Sequence, residues 1–127
     1  MICVMDDTNF INSLSQITDI DVSLGLSRVE GDVFMYRATF SIFFNNLLKE
    51  SNLLMSLLDE NDITAFGTTV HTMKTMLSTI GAMELSETAL DLELNAKKGE
   101  ADYCQTNYPL LHQKLLVLNE NLKPLFN

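Results

Sequence analysis

Apolar residues return along this chain at alternating intervals of three and four and nowhere sustain an alternation of two, so the pattern predicts helices and no strands. The clearest stretch is Asp62 to Ala82, DITAFGTTVHTMKTMLSTIGA, in which Ile63, Phe66, Val70, Met73, Leu77 and Ile80 form the seam of an amphipathic helix. Asn61 or Asp62 is placed to cap its start, and Gly81 to end it in a left-handed conformation. His71 is off the seam. At about 100° per residue it projects roughly 130° from the mean core direction, on a stripe shared with Thr64, Gly67, Thr68, Thr75 and Ser78, with Lys74 at its edge. The helix therefore turns one imidazole and one ammonium toward solvent among small residues.

The remaining elements are read the same way. Two short helices are expected first, from about Thr8 to Gln16 and from Asp21 to Ser27, capped by Thr8 and Asp21. After Gly31 and Asp32, DVFMYRATFSIFFNNLLKESNLLMSLLDE forms one long helix, with Asn45 to Asn52 the place where a kink would fall. Its core face includes Phe40, Phe44, Leu47, Leu54 and Leu58. Phe34, Phe40, Phe43 and Phe44 occupy more than one face, so most belong to the core and one or two are free for docking. The helix from Met83 to Lys98 packs through Leu85, Ala89, Leu92 and Ala96; Lys97 and Lys98 complement its dipole and Gly99 ends it. Glu100 to Asn107 reads as a loop with room for a helical turn of its own. Pro109 then fits the first turn of a last helix with Leu111, Leu115, Leu118, Leu122 and Leu125 on its seam. Short connections between complementary seams predict an all-α, antiparallel up-down-up-down four-helix bundle with one or two short N-terminal helices. Residues 1–20 are the partly helical N-terminal extension and 21–127 the bundle.

Composition narrows the class. A chain of 127 residues suits one domain, and 17 acidic against 8 basic residues give a net charge of −9, which disfavours nucleic acid and anionic membranes as partners. Between Glu60 and Glu84 the only formal charges are Asp62 and Lys74, so His71 lies in a weakly charged window. Cys3 and Cys104 are too few and too far apart for a disulfide framework or metal cluster, and read as reduced thiols. The start, MICVMDDTNF, lacks the basic and apolar regions of a signal peptide, and no long uncharged apolar span follows. A soluble, cytoplasmic protein is expected. Met1 and the full set of helices favour a free-standing one.

The chemistry concentrates on one residue. An exposed imidazole is mostly neutral near neutral pH and serves as nucleophile or proton carrier. Lys74 follows one turn later and would attract an anion reaching the ring, by roughly 1 kcal/mol in water-like surroundings and up to about 4 kcal/mol beneath a partner. There is no glycine-rich phosphate loop, no HExxH or paired-cysteine pattern and no GxSxG turn. Threonine, serine and glycine around His71 supply no metal ligands, and Lys74 is the one titratable neighbour the sequence offers. His112, beside Leu111 and without a lysine three positions on, reads as a surface residue, and the methionines as pliable core filler. A chain that neither binds ATP nor cleaves a substrate borrows its chemistry from a partner.

The segment VHTMKTMLSTIGAMELSETALDLELNAKKGE resembles the signature of histidine-containing phosphotransfer (HPt) domains, a His-x-x-Lys followed by a glycine ten residues after the histidine. Upstream, DVSLGLSRVEGDVFMYRATFSIFF is similar to the approach to that family's first long helix, so the likeness runs from about Asp21 to Phe126. The resemblance implies a phosphoryl carrier rather than an enzyme. His71 would take a phosphoryl group from a receiver-domain aspartate and pass it to another receiver, Lys74 would steady it and Gly81 would shape the turn. The implied partners are response-regulator receivers and a hybrid histidine kinase, with no cofactor on this chain because magnesium belongs to the receiver. A monomer is expected. Four residues after the histidine, where the family usually has glycine or a very small residue, stands Thr75, and Met76 and Leu77 are bulkier than usual. Gly67, one turn before His71, is either a tolerated weak spot or clearance beside the ring. Ser78 completes the stripe. Two other classes stay open: a non-catalytic helical adaptor that docks a receiver or kinase, and a structural bundle that dimerises through leftover apolar surface.

Overall fold

A computed structural model describes residues 6–126, so the expectations for Cys3 and the first five residues lie outside it. Six helices follow one another: α1 (Asp7–Ser15), α2 (Val22–Ser27), α3 (Val33–Asp59), α4 (Ile63–Ile80), α5 (Met83–Lys97) and α6 (Ala101–Phe126). There is no strand among the described residues. α3 packs against α4 and α6, and α5 packs against the same two, so the four long helices close into a ring. The turns at 60–62, 81–82 and 98–100 are short enough to make each helix antiparallel to the one before it.

Local chemistry sets the boundaries. Asp6, Asp21, Asp32 and Asp62 each accept a hydrogen bond from a backbone amide three residues on, at 2.8 to 3.1 Å, and so start α1, α2, α3 and α4. The cap of α1 is thus Asp6 and not Thr8. At the end of α4, Gly81 takes φ +94°, while the Ala82 amide reaches back to the Leu77 carbonyl (2.9 Å) and the Gly81 amide to Ser78 (3.2 Å). α5 stops one residue earlier than expected, at Lys97.

α3 is unbroken through 45–52, the stretch in which a kink would fall. Its buried face holds Tyr36, Phe40, Phe43, Leu47, Ser51, Leu54 and Leu58; Phe44, expected in the core, is half-buried and stacks on Phe126 with ring centroids 5.1 Å apart. Phe34 stands 74 % exposed. α1 is not a loose extension, because Phe10 and Leu14 are fully buried and Arg37 bridges to Asp7 at 3.1 Å.

The largest departure is at α6. The expected loop from Glu100 to Asn107 is helical from Ala101 on, so Pro109 lies inside the helix and not in its first turn. The seam continues backward through Tyr108 and Cys104, both fully buried. Tyr108 donates to the Ser51 carbonyl at 2.7 Å and Gln105 to the Leu58 carbonyl at 2.7 Å. These contacts outweigh a mid-helix proline, which costs about 3 kcal/mol. Leu111, Leu115, Leu118 and Leu122 are buried as expected, and Leu125 is half-buried. His112 is not a plain surface residue: packing one turn after Tyr108 leaves it half-buried, with Nδ1 enclosed and without a hydrogen-bond partner. That burial pulls its pKa down. No helix among the described residues is long and apolar enough to cross a membrane.

Candidate functional site

The α4 seam, Phe66, Val70, Met73, Leu77 and Ile80, is buried, which turns the opposite stripe outward. His71 accordingly sits mid-helix with its side chain 56 % exposed. The α4–α5 turn then brings the second half of the hairpin alongside, and α5 places Glu93 directly beneath the ring. His71 Nδ1 lies 2.8 Å from Glu93 Oε2, Lys74 Nζ donates to Glu93 Oε1 at 2.9 Å, and Lys97 Nζ approaches Oε2 at 3.0 Å. The weakly charged window of the sequence is therefore filled, in space, by a carboxylate and a further lysine.

Glu93 is 3 % exposed. Burial raises the carboxyl pKa, but the hydrogen bonds from Lys74, Lys97 and His71, with the Lys74 charge, outweigh it and hold the group at about 2. A descent from the ordinary 4.5 to about 2 corresponds to about 3 kcal/mol of preference for the charged form in the fold. Because the folded value is the lower one, this stabilisation is present above about pH 4.5 and is lost as the pH falls toward 2. Glu93→Gln is accordingly expected to melt below the native protein at pH 6, with the difference shrinking toward pH 3. Thermal melts across that range check it, and a gap independent of pH would reject the ionised carboxylate as its source.

The other expected site residues divide. Thr75 is exposed, and its hydroxyl donates to the His71 carbonyl at 3.2 Å, which fixes its branched side chain against the turn after the ring. Gly67 is buried where α4 meets α5: a Cβ there would come within 3.2 Å of the Ala96 Cβ. The missing side chain thus faces the crossing with α5. A cleft of about 420 Å³ opens over this pair and runs up to His71, Glu93 and Lys97. Ser78 and Gly81 lie toward and just past the end of α4, away from the ring. The Gly81 carbonyl instead accepts from the Asp21 amide at 3.0 Å, tying α2 to the α4–α5 turn.

Sequence reasoning missed Glu93 and Lys97. One signal existed, since Ser86 and Glu93 are polar residues seven apart beside the α5 seam, and both prove buried against α4, with Ser86 Oγ donating to the Lys74 carbonyl at 3.0 Å. No group of three or more metal-ligating side chains with a geometry fit for an ion occurs among the described residues.

Comparison with curated proteins and with solved structures returns no match. A family model described as Hpt domain matches residues 39–121, a span that takes in most of α3, all of α4 and α5 and most of α6. An exposed imidazole held by a buried carboxylate on a helical bundle fits that match, and the chain belongs to the Hpt domain family, the histidine phosphotransfer carriers of phosphorelays.

Proposed function

We propose that His71 accepts a phosphoryl group from the phospho-aspartate of one receiver domain and passes it to another. The observation that carries this reading is the 2.8 Å contact between His71 Nδ1 and a buried, ionised carboxylate beneath an otherwise open ring. A carboxylate only accepts, so the proton stays on Nδ1 and Nε2 keeps a free lone pair. That lone pair attacks phosphorus while the bond from phosphorus to the aspartate oxygen breaks, and the bonding electrons leave with the aspartate carboxylate. The ring retains Nδ1–H and becomes a phosphorylated imidazolium, whose positive charge faces Glu93. Transfer onward runs the same bonds in reverse.

The two lysines make the charge change tolerable. Lys74, 23 % exposed, can leave Glu93 Oε1 for a phosphoryl oxygen while Lys97 stays on Oε2, so the buried carboxylate is never without a cation. Against a phosphoryl oxygen at about 4 Å the ammonium contributes up to about 4 kcal/mol once a partner excludes water. The receiver supplies the magnesium ion that phospho-aspartate chemistry uses, and a hybrid histidine kinase is the source of the phosphoryl group. The chain acts as a monomeric cytoplasmic carrier without an ATP site of its own.

The test is direct. On incubation with a phosphorylated receiver, the protein should acquire label that acid releases and base does not. Receiver binding without label would replace the relay by a helical adaptor, and a concentration-dependent dimer with neither would favour a structural bundle.

A further inference from the structure

Access to His71 is lopsided. On its C-terminal side Thr75 is pinned to the turn after the ring by its bond to the His71 carbonyl. On its N-terminal side the cleft of about 420 Å³ reaches back along α4, with Gly67 and Ala96 as its floor and Ile63, Thr64 and Thr68 along its wall. The floor is deep because Gly67 has no side chain, and the 3.2 Å separation from Ala96 that a Cβ would have shows how closely the two helices approach. Polar groups gather at one end, where His71, Glu93 and Lys97 line the same cleft. The rest is methyl, methylene and backbone apart from the hydroxyls of Thr64 and Thr68, and that of Thr68 is turned onto the Thr64 carbonyl at 3.3 Å.

We propose that this cleft seats an apolar side chain of the receiver domain, flanking its phospho-aspartate, so that the receiver meets His71 from the Gly67 side and not from the Thr75 side. The inference rests on the phosphotransfer reading. His71 is itself a wall of the cleft, and a phosphorus atom in line with Nε2 must come within about 3 to 3.5 Å of it, so the donor surface covers the mouth of the cleft during transfer. Charge fixes the order of the contacts. The anionic end of the donor belongs over His71, where Lys74 is free to turn to it and Lys97, 66 % exposed at the rim, adds positive charge without leaving Glu93, and an uncharged neighbour belongs over Gly67 and Ala96. An apolar group there also displaces water from beside the reacting nitrogen.

Thr64→Leu and Thr68→Leu fill the cleft from exposed positions, with a residue that favours helix more than threonine does. Each should slow transfer from a phosphorylated receiver, at sub-saturating receiver concentration, by about tenfold or more, the loss of one well-seated contact. Phosphoramidate, a small donor that needs no protein surface, should label His71 in both variants at the native rate. Thr75→Leu should slow receiver transfer less than either. The inference is overturned if both cleft variants accept phosphoryl from the receiver as fast as the native chain, or if Thr75→Leu is the variant that fails. Absence of receiver-derived label on the native protein would overturn the phosphotransfer reading itself, an outcome distinct from native transfer with unimpaired variants.

Discussion

Replacing His71 by glutamine is expected to reduce receiver-derived label to background while leaving the fold intact. The side chain is more than half exposed, and substitutions at such positions usually change stability by no more than about 0.5 kcal/mol. Glutamine can still donate an amide hydrogen to Glu93, and the carboxylate keeps Lys74 and Lys97 in any case. An amide nitrogen, its lone pair delocalised, does not attack phosphorus. The variant should therefore bind a receiver, melt close to the native temperature and carry no acid-labile phosphate. The chain has one other histidine, and His112 has its Nδ1 enclosed on α6, so His112→Gln should leave labelling unchanged. Label persisting in the His71 variant would place the acceptor elsewhere and remove the central residue of the proposed relay.

That residue is legible in the sequence because an exposed helix face is a one-dimensional property. Three-and-four spacing around Ile63, Phe66, Val70, Met73, Leu77 and Ile80 fixes where the core lies, and His71 follows by angle. The same spacing places Leu85, Ala89, Leu92 and Ala96 on α5 and most of the leucines on α6, and the bundle follows from complementary seams. Contacts made across helices are less legible. Glu93 is acidic in a strongly acidic chain, and its place beside the α5 seam with Ser86 is a faint sign of burial that a carboxylate alone contradicts; what lets it be enclosed is Lys74 and Lys97 meeting it from two helices at once. Pro109 misleads for a related reason. A local rule puts proline in a first turn, but the burial of Cys104 and Tyr108 extends the helix past it. Local signals set faces and caps, whereas packing partners decide whether a polar group is solvated or enclosed.

The same division governs Gly81, whose turn is legible in the sequence and whose neighbour is not. Gly81→Ala is expected to destabilise the protein by about 3 kcal/mol or more, from left-handed strain of about 1 to 2 kcal/mol and an overpacking cost of similar size. The backbone there holds φ +94°, and an added Cβ would lie within 2.3 Å of the Asp21 carbonyl oxygen and 3.1 Å of the Gly25 amide nitrogen. α2 cannot simply move away. The Asp21 amide is bonded to the Gly81 carbonyl at 3.0 Å, and Gly25 lies against the fully buried Tyr36, whose hydroxyl donates to the Ile80 carbonyl at 2.8 Å. A loss of that size lowers the melting temperature by about 10 °C in a domain of this length. Gly31 supplies the control, since it also has a positive φ, +78°, but nothing lies within 4 Å of where a Cβ would stand. Gly31→Ala should show the conformational strain alone, and the gap between the two variants in thermal melts measures the contact with Asp21. Equal melting temperatures would mean that α2 is not anchored on the α4–α5 turn. Because Gly81 lies beyond the site, the surviving folded fraction should still take label on His71, which separates a loss of stability from a loss of chemistry.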